Sequence, residues 1–236
     1  MCSPRIIIYD FDGTLANSEQ AVTAVYNDVS EKLGMGRPYT LASLRERGLM
    51  GGRGDDILLA LFGQKRFFEA RHYHRQADEH IALMTLYENV HTCLAALQQR
   101  DIQLAIATNQ QEPSLREALK HLQLEQYFSP HRITCLHDER VNQEERVFGA
   151  FSVKSDGIGQ LISGFSHGDA VYIGDAEGTL KRHAPPVFLF SGSAFLLTFL
   201  YKIIWRFLTT YIPENEKVII PENRISLSGL YPLQSI

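Results

Sequence analysis

Cysteine is nearly absent from this chain of 236 residues: Cys2, Cys93 and Cys135 are its only thiols. Their spacing contains no CxxC pair and no metal-ligand pattern, and an odd, scattered set excludes a disulfide framework. They read as reduced thiols, in packing or surface positions, of a protein in a cytosol-like compartment. An excess of charge is missing too. Lys and Arg number 23 against 27 Asp and Glu, a net charge of −4, so there is no global basic footprint and no nucleic-acid partner is expected. No cleavable signal peptide is expected, because the apolar run Ile6-Ile7-Ile8-Tyr9 already belongs to the fold. Apolar residues make up 44% of the chain, enough for one cored domain with a second small one.

What is present begins at that run. Ile6 to Tyr9 leads straight into Asp10-Phe11-Asp12-Gly13-Thr14-Leu15. A short β-branched run bounded by Asp and Gly predicts a buried strand ending in a polar loop. Carboxylates just past a strand's C-terminal end sit where open α/β sheets keep their ligands. After Leu15 the pattern turns helical: Ala21, Val22, Val25, Val29 and Leu33 recur at helix spacing, and Gly34 and Gly36 stop the run. Short helices are predicted over 40–47 and 55–62, around the loop Gly48-Leu-Met-Gly-Gly-Arg-Gly54, and a polar, His-rich helix over 65–85. The whole stretch 17–87 shows no strand alternation. The run Arg71, His72, His74, Arg75, His80 offers no Cys or acid cluster in register and reads as a solvated helix face. Beyond it, helix and strand alternate. A helix from Val90 to Gln99 precedes a strand over 102–107, and Pro113 opens the next helix. Further strands are predicted at Ile133–Leu136, Ala170–Ile173 and 187–190, with a charged, irregular stretch over 137–150 and a helix over 155–165. This alternation implies a parallel sheet covered on both faces.

One Asp-x-Asp pair is a common surface-loop feature. Four features together point further. Asp10 and Asp12 follow one strand, Thr108 follows a second, Lys154 precedes a helix, and Asp175 follows a third strand after Gly174. In a parallel sheet those strand ends converge on one edge. Several carboxylates at one point need a divalent cation, and hard oxygen ligands suit Mg²⁺.

This set resembles the haloacid dehalogenase (HAD) superfamily, in particular its phosphoglycolate-phosphatase-like branch. The four signatures stand as Asp10-Phe-Asp-Gly-Thr14, Ala107-Thr-Asn109, Lys154 and Ile173-Gly-Asp175, over about residues 5–192. The resemblance implies an α/β, Rossmann-like core with a parallel sheet and an inserted all-helical cap of the C1 type; an apolar C-terminal helix is expected besides, from the composition of residues 194–212 alone. The resemblance implies a core over 1–16 and 88–192 and the cap over 17–87, which leaves a tail over 193–236. It implies that Asp10 is a nucleophile forming an aspartyl-phosphate and that Asp12 is the general acid and base. Thr108, Asn109 and Lys154 would bind phosphate, and Asp10, Asp12 and Asp175 would hold Mg²⁺. Arg53, in the glycine-rich loop of the cap, could reach a substrate anion or be a solvated loop arginine. The chain also departs from the pattern. The acid usual four residues after the Asp175 position is Thr179, with Glu177 nearby at another offset. The prolines that usually follow the lysine are missing, which leaves Arg146 as an alternative to Lys154.

Residues 194–212, AFLLTFLYKIIWRFLTTYI, are almost wholly apolar, with Lys202 and Arg206 mid-segment. Such a helix can dock on the core, lie in a membrane interface, or span a bilayer at a cost for its two cations. The wide apolar circumference favours membrane or partner association, so the expected location is cytoplasmic with membrane attachment through this helix. The tail repeats Ile212-Pro-Glu-Asn215 at Ile220-Pro-Glu-Asn223, with no readable function. The resulting expectation is a Mg²⁺-dependent phosphomonoester phosphatase acting through an aspartyl-phosphate. A tethered enzyme suits a protein substrate, so the reading leans to phosphotyrosine on proteins. A small-metabolite phosphatase of phosphoglycolate type is the alternative. The alternative of another class is a non-catalytic HAD scaffold for binding, motivated by Thr179 and opposed by the intact Asp10 and Asp12.

Overall fold

Ile6–Tyr9 is buried at all four positions, as a strand covered on both faces must be, and this strand, β1, is central in the sheet. The computed structural model describes residues 4–50, 52–166, 169–174 and 188–190. The chain divides into two compact units, Met1–Leu197 and Thr198–Ile236, and every described residue lies in the first. With β2 (Ala16–Asn17), β3 (Thr85–Leu86), β4 (Gln103–Gln111), β5 (Ile133–Leu136), β6 (Gly149–Phe151), β7 (Ala170–Ile173) and β8 (Phe188–Phe190), the strands form two sheets. The larger is parallel throughout and ordered β6-β5-β4-β1-β7-β8. Register places Tyr9 beside Ile106 on one side and Ile173 on the other.

Among the described residues three helices cover the sheet: α4 (Val90–Gln98), α5 (Glu112–His121) and α6 (Lys154–Ile162), when helices are numbered from the N-terminus. On one face Ile6, Ile8, Ala105, Ala107 and Tyr172 pack against Ile158 and Leu161 of α6. Period-two alternation sends Ile7, Tyr9, Leu104 and Ile106 the other way, and they too are buried. Gly157 lets α6 approach closely, because a Cβ there would lie 2.3 Å from the Phe151 ring.

A helical insert leaves and rejoins the core through β2 and β3, which pair antiparallel as a two-stranded neck. It holds α1 (Glu19–Lys32), α2 (Leu41–Glu46), α3 (Gly54–His74) and a 3-10 turn at Asp78–Leu83. Tyr26, Val29, Leu44, Leu58, Leu61 and Phe62 give it a core of its own. Asn27 hydrogen-bonds both backbone groups of Tyr39, and Thr40 and Ser43 cap α2 reciprocally.

Sequence and structure differ within the insert and at one edge of the sheet. The helices predicted over 55–62 and 65–85 share α3, bent at Gly63, whose φ of 72° only glycine adopts without strain. That helix ends at His74, well short of 85. The stretch 17–87 does contain strand, the two residues of β3 and the end of β2. The predicted irregular segment 137–150 runs into β6, an edge strand. Strands of two or three residues carry no alternation of their own and are defined by their partners. The expected apolar helix at 194–212 and the tail repeat lie outside the described residues. Among the described residues no helix is long and apolar enough to cross a membrane, and the expectation of a membrane-associated location is withdrawn.

Candidate active site

Strand order reverses at β1: β4 lies on one side of it and β7 on the other. The C-terminal ends of adjacent strands part at such a point and leave a crevice for ligands. Asp10 stands at that edge, its N–H donating to Ile173 O at 2.7 Å. The residue is only 6% exposed, and both side-chain oxygens are engaged. Oδ1 accepts from the Phe11 N–H at 2.8 Å, and Oδ2 accepts from Lys154 Nζ at 2.5 Å and from the Tyr172 hydroxyl at 3.3 Å. Lys154 is the first residue of α6 and is itself buried. Two opposite charges this deep are tolerated because each has the other and additional hydrogen bonds. Arg146, the alternative cation, instead donates to Asp138 O.

Asp12 is two residues on, past the fully buried Phe11 and just before Gly13, whose φ of 73° turns the chain. Its Oδ1 accepts from Gln110 Nε2 at 2.9 Å. Burial pushes the Asp12 carboxyl up to about 6; a hydrogen bond from Ser18 opposes the rise and the neighbouring Asp10 charge adds to it. Asp10 and Asp12 thus have different surroundings, one clamped by an ammonium and the other raised by burial, the kind of difference that acid–base work requires.

Thr108 lies in β4, which runs on to Gln111 through an irregularity between Ala107 and Gln111, where a loop is expected from sequence. Thr108 is fully buried and its hydroxyl accepts from the Gln110 N–H at 3.1 Å; Asn109 beside it is half-buried. Gly174, the last described residue after β7, is level with this edge. Asp175, Glu177 and Thr179 lie outside the described residues. The donor set fits a small hard cation: Asp10 and Asp12 bring carboxylate oxygens to one strand end, and Asp10 Oδ1 keeps a lone pair beyond its Phe11 bond. A separate cluster in the insert, Asp28, Glu79 and His80, has ligand-like spacing. There both Asp28 oxygens are taken, by His80 at 2.5 Å and by Arg37 at 2.7 Å, and the guanidinium stands where a cation would.

Asp12 opens onto a cavity of about 330 Å³ between the insert and the core. Arg53 lines it, exposed, at the N-terminus of α3. So do Arg71, His74, Arg75 and His80, which corrects the reading of that run as a solvated helix face; of the five only His72 lies outside this lining. The face turns inward because α3 packs across α1, and Tyr26 stacks on His74. Glu139 of the core loop meets Arg75 at 3.1 Å and Arg71 at 3.5 Å. Arg140 joins the lining and donates to Asp138, Gln111 and the Arg75 carbonyl. Sequence reasoning missed Gln110, Tyr172 and Arg140. Gln110 could have been noticed two residues past Thr108; nothing in the sequence marks the other two.

The sequence matches the family described as "Haloacid dehalogenase-like hydrolase" over residues 7–179. The chain belongs to that family of hydrolases. Among similar proteins are the tyrosine-protein kinases PtkA of Mycobacterium bovis and Mycobacterium tuberculosis, each 23% identical over 78% of this chain and 70% of theirs. Its fold is that of a haloacid dehalogenase-like hydrolase from Streptococcus pneumoniae (TM-score 0.65, 19% identity, 86% of this chain and 98% of that one). The Mycobacterium tuberculosis protein tyrosine kinase A shares it too (TM-score 0.55, 20% identity, 84% and 98%). Family membership supports the general HAD-type, Mg²⁺-dependent phosphomonoesterase mechanism. Neither the branch of the family nor the cap type is distinguished by these similarities.

Proposed function

We propose that the chain is a phosphomonoester phosphatase in which Asp10 attacks phosphorus and carries the phosphoryl group as an aspartyl-phosphate. The observation that carries this reading is the buried contact of Asp10 with Lys154 at the switch point of the sheet. Lys154 holds the carboxylate in place and offsets charge as the anionic ester arrives. Asp12, its carboxyl near 6, protonates the leaving alkoxide and then takes a proton from the attacking water. Gln110 keeps the Asp12 carboxylate turned toward the cavity. Thr108 and Asn109 donate to phosphoryl oxygens from the end of β4. Asp10 and Asp12, with Asp175, would hold Mg²⁺, which offsets charge on the phosphoryl oxygens. Residues 17–87 serve as a lid over a core made of 1–16 and 88–192, and exclude water when closed.

For the substrate we favour a small phosphate ester bearing a second anionic group. The cavity has small-molecule size, and Arg53, Arg71, Arg75 and Arg140 line it with Asp12. Phosphotyrosine on a protein is the second reading. Its support from a membrane tether is gone; the apolar wall of Val22, Val25, Tyr26 and Met84 and the name of the mycobacterial relatives favour it. Turnover of 4-nitrophenyl phosphate should require Mg²⁺, stop with a chelator and resume on Mg²⁺ addition. A panel of phosphorylated carboxylic acids, sugar phosphates and phosphotyrosine peptides ranks the substrates by kcat/KM. No turnover of any member with Mg²⁺ present would leave the non-catalytic scaffold as the better reading.

A further inference from the structure

We infer that Tyr172 is a positioning residue for the nucleophile; the inference rests on the reading of Asp10 just given. Tyr172 is in β7, one strand over from Asp10, and is 1% exposed. A hydroxyl this deep needs polar partners. The Tyr172 hydroxyl finds them in the Asp10 carboxylate and the Lys154 ammonium, donating to Asp10 Oδ2 at 3.3 Å and accepting from Lys154 Nζ at 3.4 Å. The three groups form a triangle in which the same carboxylate oxygen receives two donors. The Phe11 N–H holds Oδ1, and at Oδ2 donors from two further elements, α6 and β7, fix the plane of the carboxylate.

The backbone is arranged around this contact. The Tyr172 ring leans forward along its own strand over Gly174, where a Cβ would fall 2.8 Å from the Tyr172 hydroxyl oxygen. Glycine at 174 therefore makes room for the tyrosine as well as for whatever approaches the strand end. The phenol brings a donor to the pair without bringing a formal charge of its own. Tyr172 thus orients Asp10 for in-line approach to phosphorus and leaves substrate contacts to other groups. Its loss is felt in the chemical step and spares substrate binding.

A natural control lies on the next strand. Tyr9 is also buried, in β1, but its hydroxyl has no hydrogen-bond partner among the described residues. The full chain, Tyr172→Phe and Tyr9→Phe are compared with 4-nitrophenyl phosphate and Mg²⁺. The prediction is that Tyr172→Phe lowers kcat about tenfold, the worth of one hydrogen bond to a charged group, with KM within about twofold. Tyr9→Phe should keep the parent kcat. Stopped-flow measurement of the first turnover should show the same loss in Tyr172→Phe, placing it before product release. Parent-like kcat in Tyr172→Phe, or an equal loss in both variants, overturns the inference and leaves the phosphatase reading standing. Absence of turnover in all three proteins sinks the phosphatase reading itself and the inference with it. If Tyr172→Phe melts below the parent, kcat is read at the same margin below each protein's melting temperature; a loss that disappears there overturns the inference.

Discussion

Asp10 and Lys154 show how chemistry and stability are coupled at single residues. Each charge is buried, and each satisfies the other. Asp10→Asn should abolish turnover, but it also strands the Lys154 ammonium and should cost about 3 kcal/mol in urea unfolding. Lys154→Met should cost a similar amount, and Asp10→Asn with Lys154→Met should recover most of it, because the pair is then removed together. Asp12 behaves oppositely. Its carboxyl is raised from 3.8 to about 6, so the folded state holds the proton more tightly than the unfolded one. Below about pH 3.8 the group is protonated in both states and has no effect. The penalty grows from there to about pH 6 and is complete above it. In Mg²⁺-free buffer at pH 7.5, Asp12→Asn should therefore raise stability by on the order of 2 kcal/mol, and the gain should vanish near pH 4. A gain that persists at pH 4 would mean that the amide stabilises by some route other than titration.

At the scale of elements, α6 is the piece whose placement decides the site, because it carries Lys154 to Asp10. Its two internal glycines make a matched test. A Cβ at Gly157 would meet the Phe151 ring at 2.3 Å and Thr134 Oγ1 at 2.8 Å, while at Gly159 it would meet nothing within 4 Å. Gly157→Ala should push the helix off the sheet, cost about 1–3 kcal/mol and lower kcat by displacing Lys154. Gly159→Ala, on the exposed side, should stabilise by about 0.5–1 kcal/mol with unchanged kcat. Thermal melts and turnover on the two variants check both halves. The strand endings that face α6 were readable from sequence, because Ile6-Ile-Ile-Tyr9 and Ala170-Val-Tyr-Ile173 are continuous apolar runs of parallel-sheet type. The neck strands and β6 were not, because Ala16–Asn17, Thr85–Leu86 and Gly149–Phe151 acquire their identity only from the strands they pair with.

Across the whole molecule, the insert and the core meet over the cavity, and Glu139 bridges them. Its carboxylate pairs with Arg71 and Arg75 from the insert and is 63% exposed. Exposed pairs of this kind are worth about 0–1 kcal/mol, so Glu139→Ala should leave the melting temperature nearly unchanged. It should still matter for binding, because an anionic ester entering the cavity meets arginines that Glu139 now partly neutralises. The expected outcome is a lower KM for a doubly anionic substrate at low salt, with the difference shrinking as ionic strength rises. A KM that does not change, or a difference insensitive to salt, would show that Arg71 and Arg75 do not meet the substrate.

By itself, the sequence determined the class of fold and the address of the site. Alternating apolar strands and helices dictate a parallel sheet, and the ends of its strands are where Asp10, Asp12 and Thr108 stand. Lys154 was suggested only by its place in a series, and the loop around it was ambiguous enough to leave Arg146 open. Tertiary structure brings Lys154, 144 residues away in sequence, against Asp10 because α6 lies on the sheet, and sets Arg146 on the Asp138 carbonyl. It also decided that Tyr172 meets Asp10, that Gln110 holds Asp12, and that Arg71, His74 and Arg75 turn toward the cavity. Periodicity identifies which residues share a face of a helix. What that face meets depends on how α3 crosses α1, and the packing of one element on another is not written in either element alone.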